Sequence, residues 1–153
     1  MDMNECIFCK IAAHEIPAHV VWEDETHMAF LTPFPNTEGF TVVITKHHFD
    51  SYVADLPDEI SNSILSAAKI VARKIDSAFD DVGRTGLIFE GFGVNHIHIK
   101  LFPMHGTKND EWKQHKSNVK KYFDFYEGYI SSHDHDRVGD TLLAATAAKI
   151  RAG

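Results

Sequence analysis

The sequence predicts an α+β domain built on an antiparallel five-stranded sheet, with one long helix and a C-terminal helical extension. Three observations carry this. Residues Ile97, Ile99 and Leu101 alternate with His96, His98 and Lys100, the period of two of a strand. Phe40-Thr41-Val42-Val43-Ile44-Thr45 is apolar and β-branched, a composition that suits a pleated, buried surface. Between them Ile60, Ile64, Ala67, Ala68, Val71, Ile75 and Phe79 recur at helical spacing, so one face of a long helix is buried.

The elements follow in order. Cys6-Ile7-Phe8-Cys9 opens the chain, and the Lys10-Ile11-Ala12-Ala13 that follows suits one short helical turn. Residues 20–24 and 27–31 read as two strands joined by a turn at Asp24-Glu25. Pro33, Pro35 and Gly39 mark a loop before the strong strand, which ends in Lys46-His47-His48. Pro57 opens the long helix, with Asp58 and Glu59 in its first turn where the dipole favours them. Gly86-Leu87-Ile88-Phe89-Glu90 is a fourth strand, and Gly91-Phe92-Gly93 leads closely into the histidine strand. Short connections make the pairing antiparallel, with the helix expected on one face of the sheet.

The 153 residues suit a single domain, with a core over about 5–105 and an extension over about 106–153. A net charge of -7 argues against a general nucleic-acid surface. No apolar run approaches the length of a membrane span, and the acidic start Met1-Asp2-Met3-Asn4-Glu5 lacks the apolar stretch of a signal peptide. A reduced, cytoplasmic protein is expected. The two cysteines then read as metal-binding or redox-active rather than as a disulfide.

The remainder is less patterned. Residues 105–130 interleave five lysines with aromatics such as Trp112, Tyr122, Phe125 and Tyr129, a mixture expected to pack onto the sheet or a partner subunit. His133-Asp134-His135-Asp136 reads as a solvated loop, with metal binding the alternative. Residues 142–150 read as a final helix.

Three basic side chains on one strand face need partners if buried. They suit a metal, a phosphate or both. Structural zinc takes four tetrahedral nitrogen or sulfur ligands. Cys6 and Cys9 supply two. His48 and His96, each at an element end, are the natural other two, with His47 the runner-up for His48. His98 is then left on the same strand face. A neutral imidazole with one nitrogen held by a hydrogen bond, here expected to be to the carbonyl of residue 96, presents the other as a nucleophile. Lys100, next along, is a positive charge suited to a phosphate oxygen or a departing anion.

Residues 6–11, 39–48 and 96–101 resemble the histidine-triad (HIT) family in order and separation. The resemblance implies a compact α+β domain, a homodimer with joined sheets, and chemistry at the α-phosphate of a bound nucleotide. Dinucleoside polyphosphates, nucleoside phosphoramidates and related anhydrides are the implied substrates. It places the family's nucleophile on His98, passing through a nucleotidyl-histidine, and its zinc ligands on Cys6, Cys9, His48 and His96. The alternative is a nucleotide-binding protein without turnover and with a structural zinc. Phe8, Phe30 and Leu31 are the expected base contacts.

Three positions depart from the family pattern. Lys100 stands where the third histidine is usual, a position that is Gln in the related galactose-1-phosphate uridylyltransferases. Phe40 replaces the usual histidine after Gly39. Thr32 stands where an aspartate often holds the ribose, and can make one such bond rather than two.

Overall fold

The computed structural model describes residues 6–108, 122–126 and 136–153. Their elements run α1 (Ile7–Ala12), β1 (Val20–Glu23), β2 (His27–Leu31), β3 (Thr41–Thr45), α2 (Asp58–Ala78), β4 (Thr85–Ile88), β5 (His98–Pro103) and α3 (Asp140–Ala152). The five strands form one antiparallel sheet, as expected, in the order β1-β2-β3-β5-β4. Most of the 105–130 segment and His133-Asp134-His135 lie outside the described residues.

Alternation sorts the strands into two layers. Ala29, Leu31, Val43, Ile99 and Leu101 face α2 and α3, meeting Ile64, Ala68, Val71, Ile75, Leu143, Ala147 and Ile150. Met28, Phe30, Val42 and Ile44 face the other way, against Ile11 of α1 and the partly buried Phe8 and Ile16. The sequence predicts a helix on one face, but the structure covers both. Every residue of β2 and β3 is consequently buried. At about 25 cal/mol per Å² of apolar surface, each such aliphatic side chain contributes about 1.5–3 kcal/mol.

Two turns set the register. Asp24 Oδ1 accepts from the main-chain N–H groups of Thr26 and His27 at 2.8 and 2.6 Å, closing the β1–β2 turn. Gly39 holds φ +85° before β3, and a Cβ there would lie 2.8 Å from the Phe79 ring. Glycine is therefore required twice over, by backbone conformation and by close approach.

β5 starts later than the sequence alternation predicts. His96 stands in a turn and strand pairing begins at His98. The reason lies in the main chain. The N–H of Ile97 donates to the Phe49 carbonyl, and that of Ser51 to the Asn95 side chain, each at 2.9 Å. These bonds draw residues 95–97 towards the 47–51 loop and away from the ladder.

A candidate metal centre beside a buried histidine and an ion pair

Cys6, Cys9, His48 and His96 converge, their donor atoms all within 4.8 Å of one another. His96 Nδ1 lies 3.5 Å from both cysteine sulfurs, and His48 Nδ1 lies 3.3 Å from that of Cys9. A tetrahedron with bonds of about 2.3 Å to sulfur and about 2.0–2.1 Å to nitrogen has N···S edges of roughly 3.5 Å. The four residues thus have the spacing to hold a metal ion. His47, the runner-up, is not in the cluster; its ring packs edge-on against Phe49 instead, 5.0 Å between centroids.

The surroundings set each donor's state. His96 Nε2 donates to the Thr45 carbonyl at 2.8 Å, which leaves Nδ1 with its lone pair towards the sulfurs. Burial pushes the His96 imidazole down to about 4, against the opposing effect of that bond. Burial and the neighbouring Cys6 push the Cys9 thiol up to about 11. A metal would displace the thiol protons, since thiolate is the ligand form.

His98 begins β5 one step beyond. Its Nδ1 donates to the His96 carbonyl at 2.7 Å, the acceptor the sequence suggests. Nε2 is then the ring nitrogen that carries the lone pair. Burial lowers the basicity of the His98 imidazole. The His96 bond and Glu90 act in the opposite direction, and Lys100 acts with burial.

Pairing aligns the rest of this face in rungs. Met28, Ile44 and His98 form one; Phe30, Val42 and Lys100 form the next. Phe8 of α1 lies across them, its ring centroid 5.3 Å from His98, 5.9 Å from His96 and 5.7 Å from Phe30. Cys6 and Cys9 flank Phe8, so the candidate metal centre and the ring over His98 belong to one short segment.

Three of the expected site residues, Leu31, Thr32 and Lys100, are placed unlike the others, and Phe40 marks a departure from the family pattern. Leu31 is not brought to His98: it is next to Phe30 in β2, and alternation turns it into the core beneath α2 and α3. Thr32 follows the end of β2, its N–H bonded to the Phe40 carbonyl at 3.2 Å and its hydroxyl accepting from the Phe34 N–H at 3.3 Å. It lines a cavity of about 290 Å³ with Glu38, Leu142 and Thr146, on the α3 side of the loop. Phe40 is buried and stacks on Phe102, 4.3 Å between centroids, filling the place after Gly39 with core. Lys100 is not a bare positive charge: its ammonium is ion-paired with Glu90, whose side chain is 3% exposed.

Glu90 has no local sequence pattern that marks it as part of the site. The signal was in the strand register. Ile88 pairs with Lys100, so alternation returns position 90 to the His98 face, while Phe89 packs on the helix-side core. Asn95 was also missed. It accepts from Ser51 N–H and donates to Asp50 at 2.7 Å, stitching the loop that carries His96.

Comparison with known proteins bears on this arrangement. A family model described as the HIT domain matches residues 13–121. The Protein hit of Bacillus subtilis is 37% identical over 125 residues, covering 76% of this chain and 85% of its own length. The adenosine 5'-monophosphoramidase of Saccharomyces cerevisiae is 34% identical over 106 residues, covering 68% of this chain and 65% of its own. A solved Zn-bound histidine triad family protein from Mycobacterium smegmatis has TM-score 0.68 at 21% identity, covering 97% of this chain and 92% of that one, a likeness of fold. With the domain match extending over most of the described sheet and both histidine segments, the chain belongs to the HIT family.

Proposed function

We propose that this protein is a nucleotidyl hydrolase or transferase that acts at the α-phosphate of a nucleotide through His98. The observation that carries this is the 2.7 Å bond from His98 Nδ1 to the His96 carbonyl. It fixes the tautomer and leaves Nε2 as the nucleophile. Nε2 attacks phosphorus, the bond to the leaving group breaks, and its electron pair departs with that group. Water or another acceptor then takes the nucleotidyl group from His98. Lys100, in the adjoining rung, stabilises negative charge on the phosphoryl oxygens. Phe8 and Phe30 form an aromatic corner against which a base could pack, and Thr32 offers one hydroxyl for a ribose. The likeness to the yeast phosphoramidase supports a nucleoside phosphoramidate as one candidate substrate; a dinucleoside polyphosphate is the other class proposed, on the chemistry of attack at an α-phosphate.

Zinc is the metal that a Cys2His2 set of this spacing suits best. Its contribution would be structural, tying α1 to the ends of β3 and β5. The protein is proposed to work as a homodimer in the cytoplasm. Among the described residues β4 is a sheet edge, with Leu87 partly exposed on it, which a second sheet could extend. No described helix is long and apolar enough to cross a membrane.

A second reading, nucleotide binding without turnover, draws on one observation: His98 is only 2% exposed beneath Phe8. Incubation with diadenosine tetraphosphate or adenosine 5'-phosphoramidate, followed by chromatography for AMP, separates the two. AMP release that His98→Asn abolishes supports catalysis. Nucleotide binding with no AMP release supports the second reading.

A further inference from the structure

The pairing of Lys100 with Glu90 bears on which bonds His98 can break. Lys100 is four-fifths or more buried, its side chain 15% exposed, and Glu90 is 3% exposed. Lys100 stands one rung from His98 on the same face. It is therefore a cation placed on the same face for a leaving group departing from a phosphorus bound at His98 Nε2. To act as a proton donor it would have to become neutral, and the Glu90 carboxylate would then be buried without its counter-charge. A buried charge stripped of its partner is strongly unfavourable. As an electrostatic partner, by contrast, Lys100 meets no such cost, because it keeps its proton throughout.

We infer that the Glu90–Lys100 ion pair makes this site selective for leaving groups that depart as stable anions, such as a nucleoside polyphosphate, over amines. The inference rests on the proposed nucleotidyl transfer through His98 and specifies its substrate class. The bookkeeping of the bond broken decides it. When His98 Nε2 attacks an anhydride, the P–O bond breaks and the oxygen leaves with the electron pair as a phosphate anion, needing no proton. When it attacks a phosphoramidate, the P–N bond breaks and the nitrogen must gain a proton as it leaves, because an amide anion is far too basic to depart. Lys100 held by Glu90 meets the first need and not the second. Glu90 is thus a positioning residue, acting through Lys100, and the pair determines specificity.

The test compares kcat/KM for diadenosine tetraphosphate and adenosine 5'-phosphoramidate in the wild-type protein, Lys100→His and Glu90→Gln. The wild type should favour the tetraphosphate by at least about 10²-fold, the scale for one general-acid contribution. Lys100→His supplies an imidazole that can donate near neutral pH. It should raise phosphoramidate turnover and narrow the ratio at least about tenfold. Glu90→Gln, which frees Lys100 to lose its proton, should move the ratio in the same direction, a shift that a merely structural role would not produce. Equal or better wild-type turnover of the phosphoramidate would overturn the inference, as would a fall in phosphoramidate turnover alone in Lys100→His. The wild-type comparison stands even if a variant fails to fold. Failure to release AMP from either substrate, with no nucleotide on His98, would instead sink the transfer chemistry itself, and this inference with it.

Discussion

His98 Nδ1 and the main-chain carbonyl of His96 are 2.7 Å apart, and the same two residues divide the site between them. His96 turns its Nδ1 to the cysteines while its carbonyl orients the next imidazole. A backbone acceptor cannot be lost by side-chain change, so a substitution at His98 can keep the bond while removing the nucleophile. Asn does this, its amide N–H standing where Nδ1–H stands. His98→Asn should fold with an unchanged melting temperature and lose turnover by about 10⁴–10⁶-fold, the range for removing a covalent nucleophile. Parallel stopped assays and thermal melts check this. Retained activity would contradict the role of His98.

Lys100→Ala should cost less, roughly 10²–10³ in kcat, the scale for one electrostatic stabiliser of the transition state. It also strands Glu90 in a buried position, so its melting temperature should fall. Lys100→Ala with Glu90→Gln should recover stability without recovering rate, which steady-state kinetics and melts on the same samples would show.

Metal removal should act on stability before chemistry. About one zinc per chain is expected under reducing conditions, and its chelation should lower the melting temperature, because structural zinc couples binding to folding. Cys9→Ser should lose the metal and loosen α1, since Cys6 and Cys9 are the segment's ties to His48 and His96. Elemental analysis that finds no zinc, with both thiols free to titrate, would rule this site out.

Gly39→Ala should be destabilising although it adds one methyl group. The left-handed backbone costs an alanine about 1–2 kcal/mol. The 2.8 Å approach to Phe79 adds overpacking of about 1–3 kcal/mol. Chemical denaturation measures the sum, and a change below about 1 kcal/mol would show that the loop and Phe79 yield easily.

The 104–107 turn should make stability depend on pH. His105 Nδ1 faces the Asp81 carboxylate at 3.1 Å and Nε2 the Glu38 carbonyl at 3.0 Å, so only the imidazolium satisfies both. Burial opposes that charge, but these two acceptors outweigh it and raise His105 above its usual 6.5. The His105 hydrogen bond holds Asp81 below its usual 3.8. A raised imidazole stabilises fully below 6.5 and loses that contribution as pH rises through its folded value. A depressed carboxylate stabilises above 3.8 and loses its contribution as pH falls through its folded value. The clasp therefore works between these limits. The melting-temperature gap between wild type and His105→Gln should be largest between pH 3.8 and 6.5 and close as pH rises above 6.5 through the folded imidazole's raised value. A gap that does not vary with pH would contradict the charge.

Much of this was legible in residues that carry local patterns. Alternation from 97 to 101, the β-branched run before Thr45 and the helical spacing from Ile64 to Ile75 each follow from a single element's own period. The four candidate metal donors were legible because cysteine and histidine at element ends have few other uses. What was not legible depends on pairing across elements. Leu31 reads from sequence as a base contact beside Phe30; because all five residues from His27 to Leu31 are buried, no exposed position marks the strand's phase, and only the packing shows that the two side chains face opposite sides of the sheet. Glu90 was passed over because its partner is ten residues away on another strand, and only the Ile88–Lys100 register brings them together. The covering of the second sheet face by α1 was missed for a related reason. A six-residue helix has too few turns to display a stripe.

The most direct test of nucleotidyl transfer is to stop the wild-type reaction early and map the modified residue. The protein is mixed with diadenosine tetraphosphate, quenched in denaturant at alkaline pH, digested and analysed by mass spectrometry. One adenylyl group on the peptide containing His98, absent from His98→Asn, is the predicted result. AMP formed at full rate with no adduct on that peptide, or with the adduct on another residue, would contradict it.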